Sequence, residues 1–205
     1  MKGQVSLRYQ QIMTLVVDIR IIGYTILVLL LPILGCNRSS NENEIKKYVE
    51  NKEIFLGYKL GMNKQTFYDR SWKLNDEGLV KQGPKNQSVR YELSDELDHP
   101  AEMYFYPSFH NERIYQMRAR FEYSNWAPWN DELHSDKLLK DVLNLFKDWY
   151  GEGFTRKIYK SKGENRTVYM KTDKSRRVSV TRKKSKAVMA LIADVVAAKE
   201  AASDD

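Results

Sequence analysis

Tyr115–Tyr123 reads YQMRARFEY. Tyr115, Met117, Ala119, Phe121 and Tyr123 alternate with Gln116, Arg118, Arg120 and Glu122. As a β-strand, the stretch places every first-set side chain on one face and every polar one on the other. A helix would scatter both sets around its axis. The segment is therefore predicted to be a strand with one buried and one wetted face, and the buried face needs a second layer over it.

The flanking sequence supplies that layer. Upstream, Val89, Tyr91 and Leu93 alternate with Arg90 and Glu92, and Met103–Pro107 forms another extended run. Turn residues fill Ser94–Pro100 and recur at Asn111 and Glu112. Before them, Asn63 is a fitting N-cap for a helix running to about Leu74, with Phe67, Ser71 and Leu74 on one face and Trp72 off its edge. Asn75-Asp76-Glu77-Gly78 ends that helix. Tyr48–Leu60, with its apolar Ile54-Phe55-Leu56, leads into it.

Downstream, Asn125–Asn130 (NWAPWN) is a loop. Asp131–Tyr150 is the second helix, carrying Leu138, Leu139, Val142, Leu145, Phe146 and Trp149 at i, i+3, i+4 spacing, and Gly151 stops it. Four short strands follow at Phe154–Ser161, Arg166–Thr172, Arg176–Arg182 and Ala187–Ala193, spaced as in an antiparallel meander. The predicted fold is α+β, with two helices packed on one face of a mostly antiparallel sheet. The order of elements admits two αβββ units in tandem, although no sequence repeat accompanies it. From Val195 the chain is alanine-rich with an acidic end, and reads as a frayed helix or as disorder.

The N-terminus has a different character. Fifteen uncharged residues, Ile21–Gly35, separate Arg20 from Cys36. That is short of the ~18–20 residues needed to cross a bilayer and fits the apolar core of a signal peptide. Lys2, Arg8 and Arg20 make its flank basic; Met13 is an alternative start that gives a shorter signal. Ile33-Leu34-Gly35-Cys36 resembles the processing motif of bacterial lipoproteins. The resemblance implies a mature N-terminus at Cys36 carrying diacylglycerol, and more than one acyl chain anchors stably where a single chain exchanges. Asn37–Glu44 (NRSSNENE) then reads as a tether. The organisation expected is a signal peptide over 1–35, the lipidated Cys and tether over 36–47, one α+β domain over 48–194, and an acidic tail over 195–205.

Leu60-Gly61-Met62-Asn63-Lys64-Gln65-Thr66-Phe67 resembles the opening of the repeat in β-lactamase inhibitory protein and in BamE-type small envelope lipoproteins. There an apolar-Gly-Met turn leads into a short helix. The resemblance implies a protein-binding scaffold without catalytic residues, engaging partners through its open sheet face or its loops. The second helix lacks the motif and has Trp126-Ala127-Pro128-Trp129 before it.

Charge is unevenly spread. The chain carries +7, yet Arg156–Lys186 alone holds thirteen Lys and Arg against Glu164 and Asp173. Residues 37–155 are net −3, as are 187–205. For an exported lipoprotein the counterpart of such a block is an anionic lipid or an acidic protein patch rather than nucleic acid. Arg156, Lys157, Arg176, Arg177, Arg182, Lys183 and Lys184 are the candidate contacts. The alternative is a solvated strand face whose Lys and Arg guard edges against aggregation.

A dense aromatic run lies between Tyr104 and Trp129. Strand parity sets Phe105 opposite Tyr104 and Tyr106, so one core cannot take all of them. Phe105, Phe121 and Trp149 are predicted core; Tyr104, Tyr106, Trp126 and Trp129 are candidate partner-binding residues.

Catalytic and metal signals are absent. A single Cys excludes an internal disulfide and a Cys-rich zinc site. No phosphate loop, nucleophile elbow or HExxH occurs. The acidic loop Asp95, Glu96, Asp98, His99 lacks the glycine of a calcium loop and reads as a solvated turn. His110 and His134 have no evident companions. No cofactor is implied. The function expected is a lipid-anchored cell-envelope protein, held in the membrane by acyl chains on Cys36, that binds another envelope protein or anionic lipid. The alternative, a periplasmic hydrolase or glycan-processing enzyme, requires His110, His134 or carboxylates to converge in a cavity.

Overall fold

The computed structural model describes residues 52–161 and 164–204. The signal segment, Cys36, the tether and the turn residues Lys162 and Gly163 lie outside the described residues. Asn63 caps the first helix, α1 (Lys64–Asp76), by accepting a 2.8 Å hydrogen bond from the Gln65 amide. Gly78, at φ +74°, turns the chain out of it. Strands β1 (Val80–Gln82), β2 (Val89–Leu93), β3 (Ala101–His110) and β4 (Arg113–Tyr123) follow. The second helix, α2 (Ser135–Tyr150), leads into β5 (Thr155–Ser161), β6 (Glu164–Asp173), β7 (Arg176–Lys183) and β8 (Ala187–Asp194). A third helix, α3 (Val195–Ser203), closes the chain.

All eight strands form one antiparallel sheet in the order β1-β2-β3-β4-β8-β7-β6-β5. Helices α1 and α2 thus each precede a four-strand meander, and the last strands of the two meanders meet at the centre. The expected three strands after α1 become four because β1 was missed. It has three residues, and only Val80 is buried, too little for any alternation to register.

Register makes one face of the sheet continuous and apolar. Met103 lies beside Phe121, which lies beside Val188; Phe105 lies beside Ala119, then Ala190, then Val180. All are buried. Phe146 of α2 meets Phe121 edge-on at 5.8 Å. Phe67 of α1 stacks at 5.1 Å on Tyr58, which in turn meets Phe105 at 5.5 Å. The segment before α1 therefore belongs to the core itself: Ile54, Phe55, Tyr58 and Leu60 are all buried. Each such side chain contributes roughly 1.5–3 kcal/mol of transfer free energy.

The β4 alternation holds from Met117 to Tyr123 but not through Tyr115. A bulge between Ser108 and Phe109 pairs Ile114 with Phe109 and Gln116 with Ser108, leaving Tyr115 without a register partner. Ile114 takes the buried position in its place. Helix α2 starts later than the periodicity suggested, because Asp131–Leu133 is a separate 3-10 turn. The C-terminal run forms a helix rather than a disordered tail: Asp194 caps α3 by accepting from the amides of Val196 and Ala197. The helix packs on β4 and β8, and Asp204 reaches His110 at 3.3 Å.

Candidate binding face of the sheet

The side chains opposite the core form the second face. Across its middle, Tyr104 stands beside Arg120, Met189, Thr181 and Val168 in succession. The neighbouring row is Tyr106, Arg118, Leu191, Ser179 and Met170. Met189, Leu191, Val168 and Met170 are only half-buried, and Arg118 and Arg120 are exposed. Aromatic, arginine and flexible apolar side chains on one surface form a composition suited to protein contact. A depression of about 520 Å³ opens there, lined by Tyr104, Tyr106, Arg118, Arg120, Met189 and Pro84.

Electrostatically this face has two regions. On β1–β4 its acids are matched. Glu92 pairs with Lys81 at 2.8 Å and Arg90 at 3.2 Å, and Glu102 with Arg90 at 3.3 Å. Glu122 is gripped by Arg120 and by Lys186, the latter at 3.2 Å. Lys81 beside Glu92 holds that carboxyl below the usual carboxylate range. The Tyr104 hydroxyl donates to Glu102; desolvation, then this bond and the nearby charge push its phenol up to about 12. Tyr106 shares a 2.9 Å hydrogen bond with Tyr68 of α1, the main cause of a rise to about 12, with burial second. Both candidate tyrosines are thus neutral and hydrogen-bonded through their hydroxyls, and Tyr106 retains 39% exposure. On β5–β8, Lys157, Arg177 and Lys183 share this face with no ion pair among the described residues.

The candidate cations do not form one patch. Register places Lys157, Arg177 and Lys183 on the uncovered face but Arg156 and Arg182 on the helix side. Arg166 joins the uncovered face, where it donates to Thr181 at 3.2 Å. Arg176 departs from the expectation of a surface contact: it is only 6% exposed. It donates to the Glu53 carbonyl at 2.9 Å and to Asp173 at 3.2 Å, with its guanidinium 4.9 Å from the Tyr150 ring centroid. Its charge serves the core, because Tyr150 at the end of α2 and the Glu53 segment before α1 close over it.

The loop tryptophans separate. Trp126 is half-buried against the core, with Lys186 5.5 Å above its ring; Trp129 is 85% exposed. The predicted core aromatics Phe105 and Phe121 are buried, and Trp149 packs partly buried against Phe146. The acidic loop is structural in at least one respect. Asp98 lies near enough to Asp141 of α2 to act on its carboxyl, which accepts from Tyr123 at 2.5 Å. His110 and His134 are given separate partners, Asp204 and Asp131. No cluster of three or more His, Cys, Asp or Glu suited to a metal occurs among the described residues. Nor is any helix among them long and apolar enough to cross a membrane.

Sequence reasoning missed Arg118, Met189 and Leu191, since their value depends on cross-strand neighbours far away in sequence. No family model, curated protein or solved structure matches this chain.

Proposed function

We propose that this chain is a lipid-anchored protein of the bacterial cell envelope, attached through acyl chains on Cys36, whose domain is a non-catalytic binding module. Its partner is another envelope protein, and the contact surface is the sheet face away from the two helices. The observation that carries this reading is the pair of rows running from Tyr104 and Tyr106 through Arg120 and Arg118 to Met189 and Leu191. These are amphipathic side chains on the sheet, half-buried or exposed; at the rim Tyr106 is bonded to Tyr68 of α1 and meets Phe67 edge-on.

The resemblance to the β-lactamase inhibitory protein and BamE-type scaffolds is part of the same proposal. It is supported by the Gly61 turn at φ +79°, the Asn63 cap, and the recurrence of one helix followed by four strands. We read that recurrence as a duplicated unit. The basic side chains of β5–β8 would draw the domain towards anionic head groups.

Crosslinked pull-down from cells producing the full chain tests the surface. Arg118→Glu with Leu191→Lys is expected to remove partners that the unaltered chain captures and that Trp129→Ala retains. Identical partner lists from both would discard the sheet face. Metabolic labelling with a palmitate analogue tests the anchor: label that survives Cys36→Ala would refute lipidation at that position.

A further inference from the structure

The two edges of the sheet are unlike. At one edge β1 is three residues long, and the Asn75 side chain of α1 donates to the Val80 carbonyl at 2.8 Å. The other edge is β5, seven residues long. Its register with β6 is unbroken from Thr155 to Ser161, and no strand among the described residues lies on its outer side. Every second residue of such a strand directs its N–H and C=O away from the sheet. No proline or bulge interrupts it. Helix α2 packs over β4, β7 and β8, and Thr155–Lys160 are exposed on both faces. Ile158 on one face is 58% exposed and Tyr159 on the other 46%, more apolar surface than guarding an edge requires.

The side chains along this edge discriminate among occupants. Arg156 and Lys160 project on one face and Lys157 on the other; β5 has no acid, and none of the three forms an ion pair among the described residues. An antiparallel second copy would set these cations against themselves, and like charges opposite one another are destabilising. A strand bearing Glu or Asp on both faces would meet a cation on both, with Ile158 and Tyr159 supplying apolar contact between them.

We propose that β5 is a strand-addition site, taking an extended acidic segment of a partner protein as a ninth strand. Backbone hydrogen bonds would hold it, and Arg156, Lys157 and Lys160 would select its charge. The site is separate from the sheet face proposed above, and either can fail without the other.

The probe is a labelled peptide alternating Glu and Val, with a Lys-Val counterpart, added to the full chain in non-ionic detergent micelles. Fluorescence anisotropy reads binding, and amide hydrogen exchange locates it. The acidic peptide is expected to bind and to slow exchange across Thr155–Ser161. Lys157→Glu with Lys160→Glu should weaken it by about tenfold or more. Ile158 and Tyr159 are adjacent, so one directs its N–H outward. Of Ile158→Pro and Tyr159→Pro, one should lose the peptide while exchange in β7 and β8 is unchanged. Arg118→Glu with Leu191→Lys should retain it. Equal binding of the lysine peptide, protection elsewhere than β5, indifference to both prolines, or β5 protection by self-association would each overturn the proposal.

Discussion

The two four-stranded halves of the sheet share a seam but solve their surfaces differently. In β1–β4 the acids of the uncovered face are matched to cations across neighbouring strands, and the outer edge is short and bonded to a helix. In β5–β8 the cations of that face have no acidic partner among the described residues, and the outer edge is long. Two paired cations of the second half, Arg176 and Lys171, instead share Asp173 beneath the end of α2, with Arg176 against the Tyr150 ring. The contrast teaches that net charge describes this molecule poorly. The same residue types form a neutral lattice on one half, a bare cationic border on the other, and a buried tie beneath α2.

The comparison is most severely tested at the seam. Phe121 of the first half packs on Phe146 of the second and is fully buried. Phe121→Ala is expected to cost about 3–5 kcal/mol and to lower a single urea transition followed by both tryptophan fluorescence and far-UV circular dichroism. Two separated transitions would mean that the halves are independent domains.

A smaller effect separates paired charges by depth. Asp173→Ala removes the carboxylate beside buried Arg176 and is expected to cost about 3 kcal/mol, since a buried charge loses its partner. Glu92→Gln breaks an exposed pair of the first half and should leave the urea midpoint unchanged. Equal costs would erase the distinction drawn between the halves.

The smallest effect concerns Asp141, which joins α2 to Tyr123 of β4. Burial raises its carboxyl above the ordinary 3.8, against the lowering hydrogen bond from Tyr123. The native state therefore holds this proton more tightly than the unfolded chain. Its contribution to stability falls as pH rises from near 3.8 through the raised native value. Asp141→Asn keeps an acceptor for Tyr123 without the charge. Urea midpoints measured from about pH 4 to about pH 7 should decline less in the variant than in the unaltered chain. Parallel declines would assign the pH dependence to other groups.

Much of the fold was legible in single stretches. The Asn63 cap, the α2 stripe from Leu138 to Trp149 and the four strands after Gly151 all appear close to where their patterns placed them. The failures share a cause. β1 is held by pairing with β2 and has no alternation of its own. Tyr115 leaves the alternation because it is the extra residue of a bulge in β4, a feature that shows only in the pairing with β3. Arg176 is buried although its sequence neighbours Arg177 and Lys174 are exposed. The face carrying Arg118, Met189 and Leu191 was hidden for the same reason, since β4 and β8 are some seventy residues apart in sequence.

By itself the sequence determined the two longer helices, the strands other than β1, and where the cationic excess lies. Period, capping chemistry and composition act over a few residues and need no distant partner. Only the tertiary structure decided that the meanders join through their last strands, which cations are bare, paired or buried, and that β5 rather than β1 is the open edge. Those outcomes depend on register and on which surface a helix covers. Both are set by contacts between residues that the chain brings together only when folded.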